Sequence, residues 1–449
     1  MLEGLPSVAG IGTIPILAQA NMNSNQSLCF LALCCLAISD PAPGQTNPLR
    51  AGFAKVDITP AEPCVLCGYA SRTALSTGVH DPLSARAIAF EQSGKRLVMV
   101  SCDVIGFYAG TATQMRSALC DAAKLDPSEL FLAGIHTHSA PTLTLDPTKP
   151  SPSNFAYTQS LQTKLVKLVQ DALAGLHPVT LGAGRSSSPV GINRRQVVIG
   201  KDGHREIRLG RNPDGSTDHE VQVLQIREAA NDRLAALLFD YATHGTSLGA
   251  KNLTVSGDVP GLAEQFVENY LGDGVLAPVF VGASGDIDPW FRVLPEFKTG
   301  NGWIPEPVLL GTMLGEEVVT TGSAIRQDLA TSPIQTLLKT VELPLKADVQ
   351  LTDYTKNTMT ITAARIGDVA FIGLSGEVFH EIGQAIKKAS PFPHTLVITH
   401  CNGGSGYLVV KEAYPEGGYE VKTTPFAPEA AGMVLEETKV LLTQLRTMK

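Results

Sequence analysis

Apolar and polar positions alternate along residues 51–59 (AGFAKVDIT) and the pattern stops at Pro60, which predicts a strand. Residues 85–90 and 96–101 bracket Ser93-Gly94 and predict a hairpin. Residues 221–227 with 234–242, and 359–366 with 369–374 across Gly367-Asp368, predict two further strand pairs. Apolar runs at 130–135 and 275–281 predict buried strands, and 395–399 predicts another. Helical spacing marks 111–123, 158–176, 261–270 and 379–389, with a long amphipathic closing helix at 427–448. Residues 140–155, rich in Pro, Thr and Ser, predict a loop. Strands and helices intermix without a regular βαβ alternation, and no internal repeat is present. The expected fold class is therefore mixed α/β, with layered sheets and surrounding helices.

The chain has 449 residues, enough for a large core, and its 42 Gly and 29 Pro imply many turns. A net charge of −8 with no basic stripe argues against a nucleic-acid partner. Residues 27–39 (SLCFLALCCLAIS) form an apolar run too short to span a bilayer, followed by a polar DPAPGQT stretch. This resembles the apolar core of a secretory signal, although no Lys or Arg precedes it, and Met22 is an alternative start to Met1. The expectation is a leader over 1–48, a single catalytic domain over 49–449, and a secreted or periplasmic location. Of eight cysteines, three lie in the leader. Cys64 and Cys67 form a lone C-x-x-C, which does not make a zinc ribbon. In an exported chain they are either a small local disulfide or, with Cys102, Cys120 and Cys401, plain thiols; the odd number leaves at least one thiol free.

Candidate chemistry collects where apolar runs end. Residues 131–135 run into His136-Thr137-His138, and positions i and i+2 of a strand face the same side. Histidine is the commonest metal ligand, so the pair predicts a metal or catalytic site. His244 (YATHGTS) ends a second apolar run in a loop of small residues. Asp286 and Asp288 lie in GASGDIDP after a third, as ligand-orienting or substrate-holding carboxylates or as a turn. Glu377 (LSGEVFH) sits at a helix start, where the dipole alone accommodates a carboxylate and a metal-ligand role is the sharper reading. Tyr407, Tyr414 and Tyr419 follow a glycine-rich stretch and suggest a binding surface. Two or three histidines with a carboxylate fit a catalytic zinc site that keeps one position for water, hence metal-assisted hydrolysis.

Taken in order, these motifs resemble the neutral/alkaline non-lysosomal ceramidase family in its N-terminal catalytic domain. The segments are 51–60, Gly68-Tyr69-Ala70, Arg86-Ala87, 100–103, His136-Thr137-His138-Ser139-Ala140-Pro141, Ile192-Asn193-Arg194, 242–247, Ser256-Gly257-Asp258, 285–289, Gly376-Glu377 and 407–420. The resemblance implies one Zn2+ held by His136, His244, Glu377 and Tyr407, with His138 near the site rather than a ligand. It implies that Arg194 and Asp286 match the family's active-site Arg and Asp. Asp288 stands where the ceramidases have Ser. The candidate catalytic residues are therefore Asp286, Asp288, Arg194 and His138. The expected substrate is a lipid or small-molecule amide of the ceramide (N-acyl sphingosine) kind. A different amide or ester is the competing expectation because of Asp288. Two readings stand behind these: a homologue that keeps the metal without turnover, and a two-metal phosphoesterase. The immunoglobulin-like C-terminal domain of larger ceramidases is expected to be absent. Peripheral membrane contact and oligomeric state stay open.

Overall fold

The computed structural model describes residues 47–290, 306–326, 328–350 and 357–448. The leader expected at 1–48 lies outside them apart from its last two residues. Eight strands make the larger sheet: β1 (Arg50–Asp57), β2 (Ser84–Gln92), β3 (Lys95–Cys102), β4 (Leu130–Gly134), β5 (His177–Ser187), β6 (Glu220–Glu228), β7 (Leu234–Tyr241) and β8 (Val279–Val281), in the order β8-β7-β6-β5-β1-β2-β3-β4. Four more, β9 (Ile334–Glu342), β10 (Thr358–Ile366), β11 (Val369–Leu374) and β12 (His394–Ile398), make a second sheet in sequence order. Pairing is antiparallel except for β3 with β4, β7 with β8 and β11 with β12.

The sheets are mixed and stacked, and the side-chain alternation shows why so many strands read as continuous apolar runs. On β2, Ala85, Ala87 and Ala89 point to one core, while Ile88 and Phe90 point to another. The second of these cores is shared by both sheets, with Phe131, Leu224 and Leu238 meeting Ala364, Phe371 and Ile398. Helices α1 (Thr111–Ala123) and α2 (Pro152–Ala174) cover the outer face of β1–β4. Helices α3 (Asp258–Leu271) and α4 (Glu306–Ala324) cover the outer face of β6–β8. Helices α5 (His380–Ala389) and α6 (Ala430–Thr447) cover the second sheet. The result is a four-layer α/β/β/α arrangement.

Four of these elements depart from the sequence reading. Helix α2 starts six residues before the expected Thr158, because Ser151 accepts the amide of Asn154 as N-cap and Pro152 takes the first position. Strand β5 (HPVTLGAGRSS) and helix α4 (EPVLLGTMLGEEVVTTGSA) were not expected, their glycines and small polar residues blurring both periods, and neither was strand β9 (IQTLLKTVE). In α4 those glycines serve packing: a Cβ at Gly311 would lie 2.7 Å from Leu262 Cβ of α3. Cys64 and Cys67 are separate buried thiols, facing the carbonyls of Glu62 and Thr137, so the local disulfide is not formed. Among the described residues no helix is long and apolar enough to cross a membrane. Thr46–Lys449 cluster as one compact unit.

Candidate metal centre

Both sheets deliver their strand ends to one place. Asn402, just beyond β12, ties that strand to β4: its amide donates to Leu132 O at 2.8 Å, and its side chain accepts from Leu132 N at 3.0 Å. Thr399 N reaches Val281 O at the end of β8 at 2.9 Å. The segments leaving β4, β7, β8, β11 and β12 therefore meet, and they carry His136, His244, Asp286 with Asp288, Glu377 and His400. Side chains beyond strand ends are free of the pleat and are held by a rigid scaffold, which suits a site.

The two motifs bearing His136 and His244 are stitched together through the backbone. His138 N donates to Gly245 O at 2.8 Å, and Gly245 N donates to His136 O at 3.2 Å. A Cβ at Gly245 would lie 2.7 Å from Thr137 Cα and 3.0 Å from His136 O, and neither is a flexible atom. Gly245→Ala is therefore expected to cost about 1–3 kcal/mol and to loosen both histidines. Urea denaturation and metal titration of the variant check this, and an unchanged midpoint would count against it.

The ring tautomers follow from the partners. His136 Nδ1 lies 2.7 Å from Ile105 O, and His244 Nδ1 lies 3.0 Å from Ile287 O. A carbonyl only accepts, so both Nδ1 atoms carry the proton and both Nε2 atoms offer lone pairs. These Nε2 atoms lie 3.5 and 3.6 Å from Glu377 Oε2, a buried oxygen with no hydrogen-bond partner. A buried carboxylate oxygen left unpartnered between two imidazole lone pairs is what a cation would complete.

His138 lies in the same cluster. Ligating atoms of His136, His138 and His244 all fall within 4.8 Å of one another, and His138 Nδ1 is buried without a partner. Burial and the neighbouring imidazoles push its pKa well below the usual value; burial, Arg194 and His136 take His244 down to about 4. Tyr407 is brought beside Glu377 by a two-residue parallel pairing, Glu377–Val378 with Tyr407–Leu408, in which the two residues are register partners. Burial and then Glu377 raise the Tyr407 pKa well above its ordinary value.

Arg194 is the hub behind the cluster. Its Nε donates to Glu420 Oε1 at 2.8 Å, and its Nη2 to Tyr407 Oη at 3.0 Å. Its Nη1 faces His244 Nε2 at 3.1 Å and Asp288 Oδ1 at 3.3 Å. Gly191–Asn193 pairs antiparallel with Ile287–Pro289, and this short ladder sets Arg194 beside Asp288. Asp288 and Asp286 were expected among the catalytic residues, and both carboxylates are already engaged. Asp288 is fully buried between Arg194 and Arg211, 3.3 and 3.5 Å away, and accepts from Thr246. Asp286 accepts from His380 and Asn193, and its backbone carbonyl accepts from Arg194 N. A further group, Asp286, His380 and Glu381, also brings ligating atoms within 4.8 Å of one another.

The sequence reading did not find His400, Tyr108 or Arg211, and it gave Glu420 no role. His400 stacks on His136 at 3.7 Å between ring centroids, and its Nδ1 lies 3.2 Å from Tyr108 Oη. His136 and His400 both hold positive φ, 59° and 52°, a conformation that a non-glycine residue keeps only when its surroundings impose it. A cavity of about 500 Å³ adjoins the cluster, with Leu66, Tyr69, Ile105, Tyr108 and Leu143 among its walls. Tyr69 meets the His138 ring edge-on at 5.2 Å.

The family model for neutral/alkaline non-lysosomal ceramidase, N-terminal, matches residues 49–288, more than half the chain. The neutral ceramidase of Pseudomonas aeruginosa is 27% identical over 292 residues, covering 61% of this chain and 42% of that protein. The neutral ceramidase of Oryza sativa subsp. japonica is 26% identical over 239 residues, covering 50% of this chain and 29% of that protein. The chain thus spans less than half the length of these curated relatives. Among solved structures, the neutral ceramidase from Pseudomonas aeruginosa superposes with a TM-score of 0.73 at 20% identity, covering 89% of this chain and 75% of that one. A ceramidase complexed with C2 gives 0.74 at 18% identity, with the same coverage. These structural likenesses establish the fold.

Proposed function

The chain belongs to the neutral/alkaline non-lysosomal ceramidase family, and on that premise we propose that it is a zinc-dependent hydrolase of an amide bond, acting on an N-acyl sphingosine-like lipid. The observation that carries the reading is the unpartnered, buried Glu377 Oε2 between the Nε2 atoms of His136 and His244. His136, His244 and Glu377 would hold the ion, with Tyr407 at its side. A bound zinc supplies Lewis acidity for a carbonyl oxygen and lowers the pKa of water toward neutrality. The apolar walls of the adjoining cavity suit a hydrocarbon chain.

The chain's own residues divide the remaining work. His138 is kept neutral by burial and the neighbouring imidazoles, and its Nε2 faces the cluster, 3.4 Å from His136 Nε2, so that nitrogen takes the proton from the attacking water. Tyr407 receives Arg194 Nη2 on its oxygen, which leaves its own proton to donate to the oxygen that gains charge at the scissile carbonyl. Arg194 holds Tyr407 in register. Asp288, neutralised by two guanidinium groups, anchors Arg194 rather than moving protons.

Hydrolysis of a panel of N-acyl sphingosines, other N-acyl compounds and esters, with and without chelator, tests this. The reading expects amide turnover that stops with chelator and returns with zinc. Ester-only turnover would transfer the proposal to the competing substrate class. His138→Ala separates its two roles. As proton acceptor, its loss keeps the metal and lowers kcat by about 10²–10⁴. The closeness of its ring to the other two favours a second reading, a three-histidine donor set, in which the metal is lost with it. We propose export as well, from the apolar run at 27–39; the N-terminal sequence of protein recovered outside the cytoplasm checks it.

A further inference from the structure

Behind the histidine cluster, three residues from distant parts of the chain line up in a different chemistry. His380 opens α5 with a fully buried side chain, and its Nδ1 lies 2.7 Å from Asp286 Oδ2. The same carboxylate accepts His380 N on Oδ1 at 3.0 Å and Asn193 Nδ2 on Oδ2 at 3.3 Å, so its position is fixed by three donors. With Nδ1–H given to Asp286, His380 Nε2 is the accepting nitrogen, and Ser216 Oγ lies 3.0 Å from it. Ser216 is exposed and directly follows the turn at Pro213-Asp214-Gly215. Asn193 Nδ2 also donates to Ser216 O at 2.9 Å, so one amide positions both the serine backbone and the aspartate. One residue on, Thr217 Oγ1 is buried without a hydrogen-bond partner.

We propose that Ser216, His380 and Asp286 form a second, metal-independent acyl-transfer site in which Ser216 is the nucleophile for esters with good leaving groups. Nucleophile, base and orienting carboxylate stand within hydrogen-bond reach of one another, the geometry by which such sets are recognised on unrelated folds. Ser216 Oγ bonds to the acyl carbon as its proton passes to His380 Nε2. The ester C–O bond then breaks, and the departing alcohol takes that proton. Water adds to the acyl-serine, gives its proton to the same Nε2, and releases the carboxylic acid and the free serine. Asp286 holds the imidazole tautomer and balances its transient charge.

The site is independent of the metal-dependent reading, and chelator separates them. The full chain, kept in excess chelator, is treated with a fluorophosphonate, and the labelled peptides are mapped by mass spectrometry. The proposal expects label at Ser216, none at that peptide in Ser216→Ala, and labelling about a hundredfold slower in His380→Gln. Ser93, exposed in a hairpin turn, is the control within the wild-type protein should the His380 variant misfold. Labelling of Ser216 no faster than Ser93, or at the same rate in His380→Gln, overturns the proposal.

Discussion

Replacing His244 with alanine is expected to remove the bound metal and the amide turnover together. The side chain is fully buried, its Nδ1 is committed to Ile287 O, and its Nε2 stands 3.6 Å from the unpartnered oxygen of Glu377. Nothing else from that loop replaces the lost lone pair: Gly245 has no side chain, and Thr246 is turned to Asp288. Losing an ion that supplies several kcal/mol of transition-state stabilisation should lower turnover about a thousandfold or more, about 4 kcal/mol. Metal content by mass spectrometry and hydrolysis of N-acyl sphingosine read the two effects separately. Full metal occupancy in the variant would remove His244 from the ligand set, and full turnover would remove the site from the chemistry.

The second large effect is expected at Arg194, and it falls on stability as well as rate. Burial works against its charge, but Tyr407 and Glu420 outweigh this and raise its pKa above the ordinary value. Arg194→Ala leaves Glu420 with Arg195 and Asp288 with Arg211, both carboxylates fully buried. Breaking a buried ion pair from one side costs about 3–5 kcal/mol, and the surviving partners place this case near the lower end. Turnover should fall about a hundredfold or more, because Tyr407 loses the donor that aligns it. Arg194→Lys restores a charge but not a fork with three separate arms, so it should recover part of the stability and little of the rate. Urea denaturation with initial rates on the same preparations tests this. An alanine variant as stable and as active as wild type would show that the network does no such positioning.

The sequence made legible what has a short period or a dense motif. The hairpins at β2–β3 and β10–β11 have clear turns, and His136-Thr137-His138 declares itself by spacing. His400 was invisible because it is a lone histidine after an ordinary strand, and only the ties between the end of β12 and β4 in the other sheet bring it against His136. Glu420 lay within a recognised tyrosine-rich segment, yet its role depends on meeting Arg194 and Arg195 from more than two hundred residues away. Asp286 and Asp288 looked alike as neighbours at i and i+2, but the ladder with Gly191–Asn193 sends Asp288 to two arginines, while Asp286 is taken by His380. Burial and partners decide what a carboxylate can do, and neither is written in local sequence.

The central claim is that one cation sits between His136, His244 and Glu377. Anomalous diffraction at the zinc edge, on crystals of the zinc-loaded protein, tests it most directly. The account predicts one peak about 2.0–2.2 Å from His136 Nε2, His244 Nε2 and a Glu377 carboxylate oxygen. A peak at Asp286, His380 and Glu381 instead, or none within bonding distance of His136 and His244, would contradict it.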